Sequence, residues 1–85
     1  MTDQLHKIFS KSRRNDDINV VYSIFFKNAY YNLEAYKEGY TESNDYCYIE
    51  NLTDDEGDAE TFLKYILNGK AYPVHIKDLA DDFFR

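Results

Sequence analysis

Residues 18 to 26 read INVVYSIFF, and this stretch decides the fold class. Ile18, Val20, Tyr22, Ile24 and Phe26 alternate with Asn19, Val21, Ser23, Phe25 and Lys27. Strict alternation in β-branched and aromatic residues is the period of a strand, not of a helix. Working toward the C-terminus, AYYNLEAYKEGY (29–40) sets Tyr31, Leu33 and Ala35 against Tyr30, Asn32, Glu34 and Tyr36. That pattern fits an antiparallel strand with one wet face. Ala29, Leu33 and Tyr36 also fit a helical period; the frequency of Tyr favours the strand. TESND (41–45) reads as a turn, and YCYIENL (46–52) as a third strand with Cys47 and Ile49 on one face.

From Asp54 the period changes. Phe62, Leu63, Ile66 and Leu67 make a helical stripe. Gly69 suits a C-cap in the left-handed conformation. PVHIKDLADDFF (73–84) then predicts a last helix, with Pro73 at its start and Ile76, Leu79, Ala80 and Phe83 on one face. Upstream, Leu5, Ile8 and Phe9 sit at helical spacing, with Thr2 or Asp3 as a cap, which predicts a short helix over about residues 2–12. The expected fold is therefore α+β: a small three-stranded antiparallel sheet packed by two C-terminal helices, with a short N-terminal helix.

The chain has 85 residues, 44% hydrophobic and 18% aromatic, a composition for one globular domain with a small core. Cys47 is its only cysteine. A disulfide scaffold is thereby excluded, and the expected compartment is the cytoplasm. The N-terminal region has no apolar stretch of signal-peptide or membrane-spanning length. Charge is uneven. Lys7, Lys11, Arg13 and Arg14 against Asp3 give residues 1–14 a net +3, whereas residues 15–85 carry −9. An acidic body repels nucleic acid and anionic membrane and attracts basic surfaces. The basic arm reads either as a solvated face or as a phosphate contact.

LTDDEGDAE (52–60) concentrates the acids Asp54, Asp55, Glu56, Asp58 and Glu60. As an EF-hand loop it fails: counted from Asp54, position 6 is Ala59 and position 12 is Tyr65. As a helix start it works, with Thr53 or Asp54 as cap and Thr53–Glu56 at capping-box spacing. A recognition surface is the other reading, because so many mutually repelling acids exceed what a cap needs. His75, Asp78 and Asp82 lie at helical spacings but fall short of the usual zinc ligand count, and His6 is remote, so neither metal nor cofactor is expected. Cys47 between Tyr46 and Tyr48 reads as a small buried residue rather than a nucleophile. The three glycines form no phosphate loop. No enzyme is expected.

Tyr30, Tyr36, Tyr40, Tyr46 and Tyr48 can share one sheet. If Tyr30, Tyr36 and Tyr40 face outward beside Glu34, Glu38 and Glu42, the surface is aromatic and acidic together. The C-terminal run Pro73, Val74, His75, Ile76, Lys77, Asp78, Leu79, Ala80, Asp81, Asp82, Phe83 resembles the closing segment of a family of small uncharacterised proteins common in Firmicutes. The "YSI" at Tyr22–Ile24 and the acidic turn at Thr53–Glu60 fit the same resemblance. It implies a fold and a bacterial or phage source, and no activity.

These readings converge on a protein-binding inhibitor from a phage or mobile element. Asp54, Asp55, Glu56, Asp58 and Glu60, with Asp78, Asp81 and Asp82, would meet the basic surface of a nucleic-acid-binding protein, and Tyr30, Tyr36 and Tyr40 would anchor the contact. Anti-CRISPR and anti-restriction proteins are the analogy, one of charge and size. Alternatives are a regulatory or adaptor module that binds through an apolar or aromatic face, as a homodimer among other forms, and direct nucleic-acid binding through Lys7, Lys11, Arg13 and Arg14, which the acidic body opposes.

Overall fold

A computed structural model describes residues 6–15 and 17–84. In chain order the elements are β1 (His6–Asn15), β2 (Ile18–Lys27), β3 (Tyr30–Lys37), a 3-10 turn (Ser43–Asp45), β4 (Tyr46–Thr53), α1 (Glu56–Asn68) and α2 (Pro73–Phe83). The strands make one antiparallel sheet in the order β1-β2-β3-β4.

The sheet has four strands, not the three expected, and the N-terminal helix is corrected to strand over residues 6–12; its residues 2–5 lie outside the described residues. The reason is long-range pairing. β1 matches β2 from His6↔Phe26 to Asn15↔Ile18, and the register slips between Lys7 and Phe9. The neighbouring apolar pair Ile8–Phe9, which suggests a helical stripe, thus falls at a bulge that breaks simple alternation.

Both helices pack on one face of the sheet. Val20, Tyr22 and Ile24 of β2, Leu33 and Ala35 of β3 and Cys47 of β4 are buried with Phe62, Leu63 and Ile66 of α1 and Ile76 and Ala80 of α2. These are the alternating and helical positions singled out above, so burial follows the sequence period.

Tyr22 is 0% exposed, and its hydroxyl donates to the backbone carbonyl of Ala71 in the α1–α2 connection. Burial, then Tyr72, push this phenol from 10.0 up to about 12, opposed by Arg13. The fold holds the neutral form better than the unfolded chain does. Its contribution to stability is therefore complete below pH 10.0 and lost as the pH rises toward about 12. Unfolding monitored across that window should show falling stability, and Tyr22→Phe should flatten the fall while lowering neutral-pH stability by about 1–2 kcal/mol.

The β2–β3 connection is tight. Asn28 has φ 54° and Ala29 φ 69°, the left-handed pair of a two-residue type I′ hairpin. Asn tolerates this conformation; Ala is strained there. Ala29→Gly is expected to stabilise the domain by about 0.5–1 kcal/mol, raising Tm by about 2–6 °C in a thermal melt.

Candidate functional site

The acidic segment is positioned by a bulge in β4. Leu33 pairs with Ile49, but Tyr31 pairs with Thr53, so residues 50–52 stand opposite Asn32 alone. Asn51 takes φ 55°, a left-handed conformation that Asn accepts more readily than most residues. Its N–H donates to Asn32 Oδ1 at 2.7 Å. The Asn32 amide in turn donates to the carbonyls of Tyr30 at 3.2 Å and Phe25 at 3.4 Å. A side chain 2% exposed thus stands in for missing ladder bonds.

The chain leaves this bulge into the start of α1. The N-cap is Asp55, whose carboxylate accepts from the Asp58 N–H at 2.8 Å. Thr53 Oγ1 accepts from the Asp55 N–H at 3.2 Å. The cap therefore sits one or two residues beyond the Thr53 or Asp54 expected, and it is not a Thr53–Glu56 box. At the far end Gly69 is the C-cap but with φ −82°; the left-handed residue is Lys70, at φ 52°.

Asp54, Asp55, Glu56 and Asp58 are exposed and Glu60 is half-buried. Burial, then the carboxylates of Glu56 and Asp55, push the Tyr31 hydroxyl above its ordinary range, which ties this corner to the end of β3. α2 contributes Asp81, which shares a recess with Asn51, Leu52 and Phe84. Asp78 and Asp82 are exposed on the same helix. Among the described residues, none of these eight carboxylates forms an ion pair. One is used by the helix cap; the rest are solvated negative charge.

The tyrosines divide. The sheet face away from the helices carries Tyr30 and Tyr36 of β3 and, across the strand pair, Tyr46 and Tyr48 of β4. Tyr36 is half-buried and Tyr30 exposed. Tyr40 lies in the β3–β4 connection, 51% exposed, with Lys37 Nζ 5.7 Å from its ring centre. Tyr46 donates to Glu34 Oε2 at 2.9 Å. Burial, then that hydrogen bond and the Glu34 charge, push Tyr46 up to about 12. Burial, then Glu50 and Glu34, raise Tyr48 as well.

An aromatic and acidic face therefore exists, with Tyr30, Tyr36 and Glu34 on it as expected, and with Tyr46, Tyr48 and Glu50 where Tyr40, Glu38 and Glu42 were expected. The signal was present: in YCYIE the partners of buried Cys47 and Ile49 are Tyr46, Tyr48 and Glu50. Val21 and Phe25 of β2 add half-buried apolar surface, and Ser10 and Ser23 hydroxyls meet at 3.1 Å across β1 and β2. Both helices pack on the opposite face.

Lys11, Arg13 and Arg14 are exposed on β1, at the opposite edge of the sheet from the acidic corner. His75 is exposed in the first turn of α2. Among the described residues no group of three His, Cys, Asp or Glu side chains converges to hold a metal ion. No described helix is long and apolar enough to cross a membrane. Cys47 is buried, and burial raises its thiol pKa against a smaller opposing effect of Lys77. The thiolate is the reactive form. Alkylation of the folded protein at pH 8 is expected to be at least about tenfold slower than in urea, as a thiol-reagent time course would show.

The fold and this surface define a small two-layer α+β domain with an open, aromatic–acidic sheet face and an acidic corner. Compared with known proteins, the chain matches no family model, no curated protein and no solved structure. None of these comparisons bears on the expected resemblance of Pro73–Phe83 to small Firmicutes proteins.

Proposed function

We propose that this protein is a non-enzymatic binding module that attaches to a basic, nucleic-acid-handling protein and occupies positions that phosphates would otherwise take. The observation that carries this reading is the exposed run of Asp54, Asp55, Glu56 and Asp58 at the start of α1, with no described cation paired to it, in a molecule of net charge −6. Such a field speeds encounter with a positive surface and rejects negative ones. Tyr36, Tyr46 and Tyr48 supply contact area with a polar tip, the chemistry of interface anchors. Anti-CRISPR and anti-restriction inhibitors are the analogy for the setting, in a bacterial cytoplasm invaded by phage or a mobile element.

The test is a variant carrying Asp54→Asn, Asp55→Asn, Glu56→Gln and Asp58→Asn. Asn preserves the cap at position 55, so the expected loss of stability is only about 1–2 kcal/mol. Capture of the partner from nuclease-treated bacterial lysate is expected to fall by about tenfold or more. Undiminished capture by the folded variant refutes the charge-based reading.

A second reading is favoured by the other sheet face. Val21, Tyr36 and Tyr48 are half-buried on the sheet face opposite both helices, as suits an adaptor that docks by this face on a protein or on a second copy. In that case Tyr36→Ala with Tyr48→Ala abolishes capture, salt hardly affects it, and the charge variant is retained normally.

A further inference from the structure

The two edges of the sheet are guarded differently. β1 carries exposed Lys11, Arg13 and Arg14 and a register slip between Lys7 and Phe9. Basic side chains and bulges are the devices that keep an edge strand from accepting another. β4, Tyr46–Thr53, is the other edge; it holds no Lys, Arg or Pro, and its bulge is confined to residues 50–52, leaving Tyr46–Ile49 regularly paired. Among the described residues no backbone hydrogen bond from outside the sheet reaches residues 47–52. The outward N–H and C=O groups of Tyr46–Ile49 are an open template.

α2 runs alongside this edge and makes a seam with it. At one end a recess of about 380 Å³ lies between Cys47 and Tyr48 on the strand and Pro73, Val74 and Lys77 on the helix. At the other a recess of about 350 Å³ lies between Ile49 and Leu52 and Ala80, Asp81 and Phe84. The helix residues recur at three- and four-residue steps, so one stripe of α2 walls both recesses. Tyr46–Ile49 is the regularly paired part of this edge, about 10 Å at about 3.3 Å per residue, and the bulge at residues 50–52 follows it. A strand added along Tyr46–Ile49 passes the first recess and leads toward the second.

Charge gives the seam a direction. Lys77 stands at the first recess and Asp81 at the second. Pro73 and Val74 wall the first recess, and Ile49, Leu52 and Phe84 the second.

Resting on the reading of the chain as a protein-binding module, we infer that the seam between β4 and α2 is a strand-addition groove for an extended segment of a partner protein. The segment places apolar side chains in the two recesses, an acidic residue at Lys77 and a basic residue at Asp81. Backbone pairing holds the segment and the recesses select it. The β1 strand of a second copy does not fit: HKIFSKSRRN has no acidic residue and sets cations against Lys77.

The probes are two capped peptides of about ten residues alternating Val and Thr, one with Glu near one end and Lys near the other, the second with Lys at both. Amide spectra of the full chain are recorded on titration with each. The Glu/Lys peptide is expected to shift residues 47–52 and α2 saturably and to bind about fivefold better than the Lys/Lys peptide, the effect of a rim ion pair or two. Lys77→Glu, an exposed position, is expected to reverse that order.

No saturable shift at residues 47–52, shifts at β1 instead, or a preference unaltered by Lys77→Glu overturns the groove. So does a concentration-dependent dimer in which a second copy fills the seam. Charge-dependent capture from lysate without peptide binding overturns the groove alone. Peptide binding with capture indifferent to the acidic corner overturns the charge-based function alone.

Discussion

Phe62→Ala is expected to destabilise the domain by about 3–5 kcal/mol. Phe62 is 0% exposed on the sheet-facing side of α1. Its ring centre lies 5.2 Å from Phe83 and 5.4 Å from Phe84, and 6.2 Å from Tyr65. It therefore joins α1 to the end of α2 and closes the helical layer over the sheet. Removing it loses both the transfer free energy of the ring and the packing of residues that cannot all collapse into the gap. A domain of 85 residues has roughly 4–13 kcal/mol of total stability. The substitution should bring it near unfolding at 37 °C, with a large drop in the urea midpoint. A loss below about 1 kcal/mol would mean that the C-terminal rings do not pack on α1 as described.

Asn32→Ala is expected to lower stability by about 2–3 kcal/mol, and its effect is local to the candidate site. The side chain accepts from the Asn51 N–H and donates to two carbonyls. Alanine leaves those groups without their partner at a part-buried position, and an unmade bond there is worth more than a made one. The bulge that feeds β4 into Thr53–Asp55 loses its clamp, so the acidic corner loosens before the core does. Amide exchange at Asn51 should accelerate well beyond what global destabilisation explains. Unchanged exchange at Asn51 would contradict the clamp.

Much of the core was legible from period alone. Val20, Tyr22 and Ile24 alternate into the interior, and Phe62, Leu63 and Ile66 face it from α1. β1 was not legible, because HKIFSKSRRN lacks the alternation of a strand and takes its form from pairing with β2. The hairpin at Asn28–Ala29 was hidden because Ala seldom takes a left-handed turn position. The β4 bulge leaves no mark in ENL; it depends on Asn32, a residue from another strand.

The candidate site divides in the same way. The acidic run was plain in LTDDEGDAE, while the recess that Asp81 shares with Asn51 and Leu52 depends on how α2 lies along β4. Tyr46 and Tyr48, rather than Tyr40, complete the aromatic face because strand pairing, not proximity in sequence, sets them beside Glu34.

The most direct measurement is competition on the captured partner. The protein is immobilised, the partner is bound from nuclease-treated lysate at low salt, and duplex DNA or salt is then titrated in. Recognition through the acidic corner predicts release by both, because DNA contends for the same basic surface and ions screen the attraction. A partner that stays bound through saturating DNA and high salt would contradict it, leaving the carboxylates from Asp54 to Asp58 as the start of a helix and the function on the open face of the sheet.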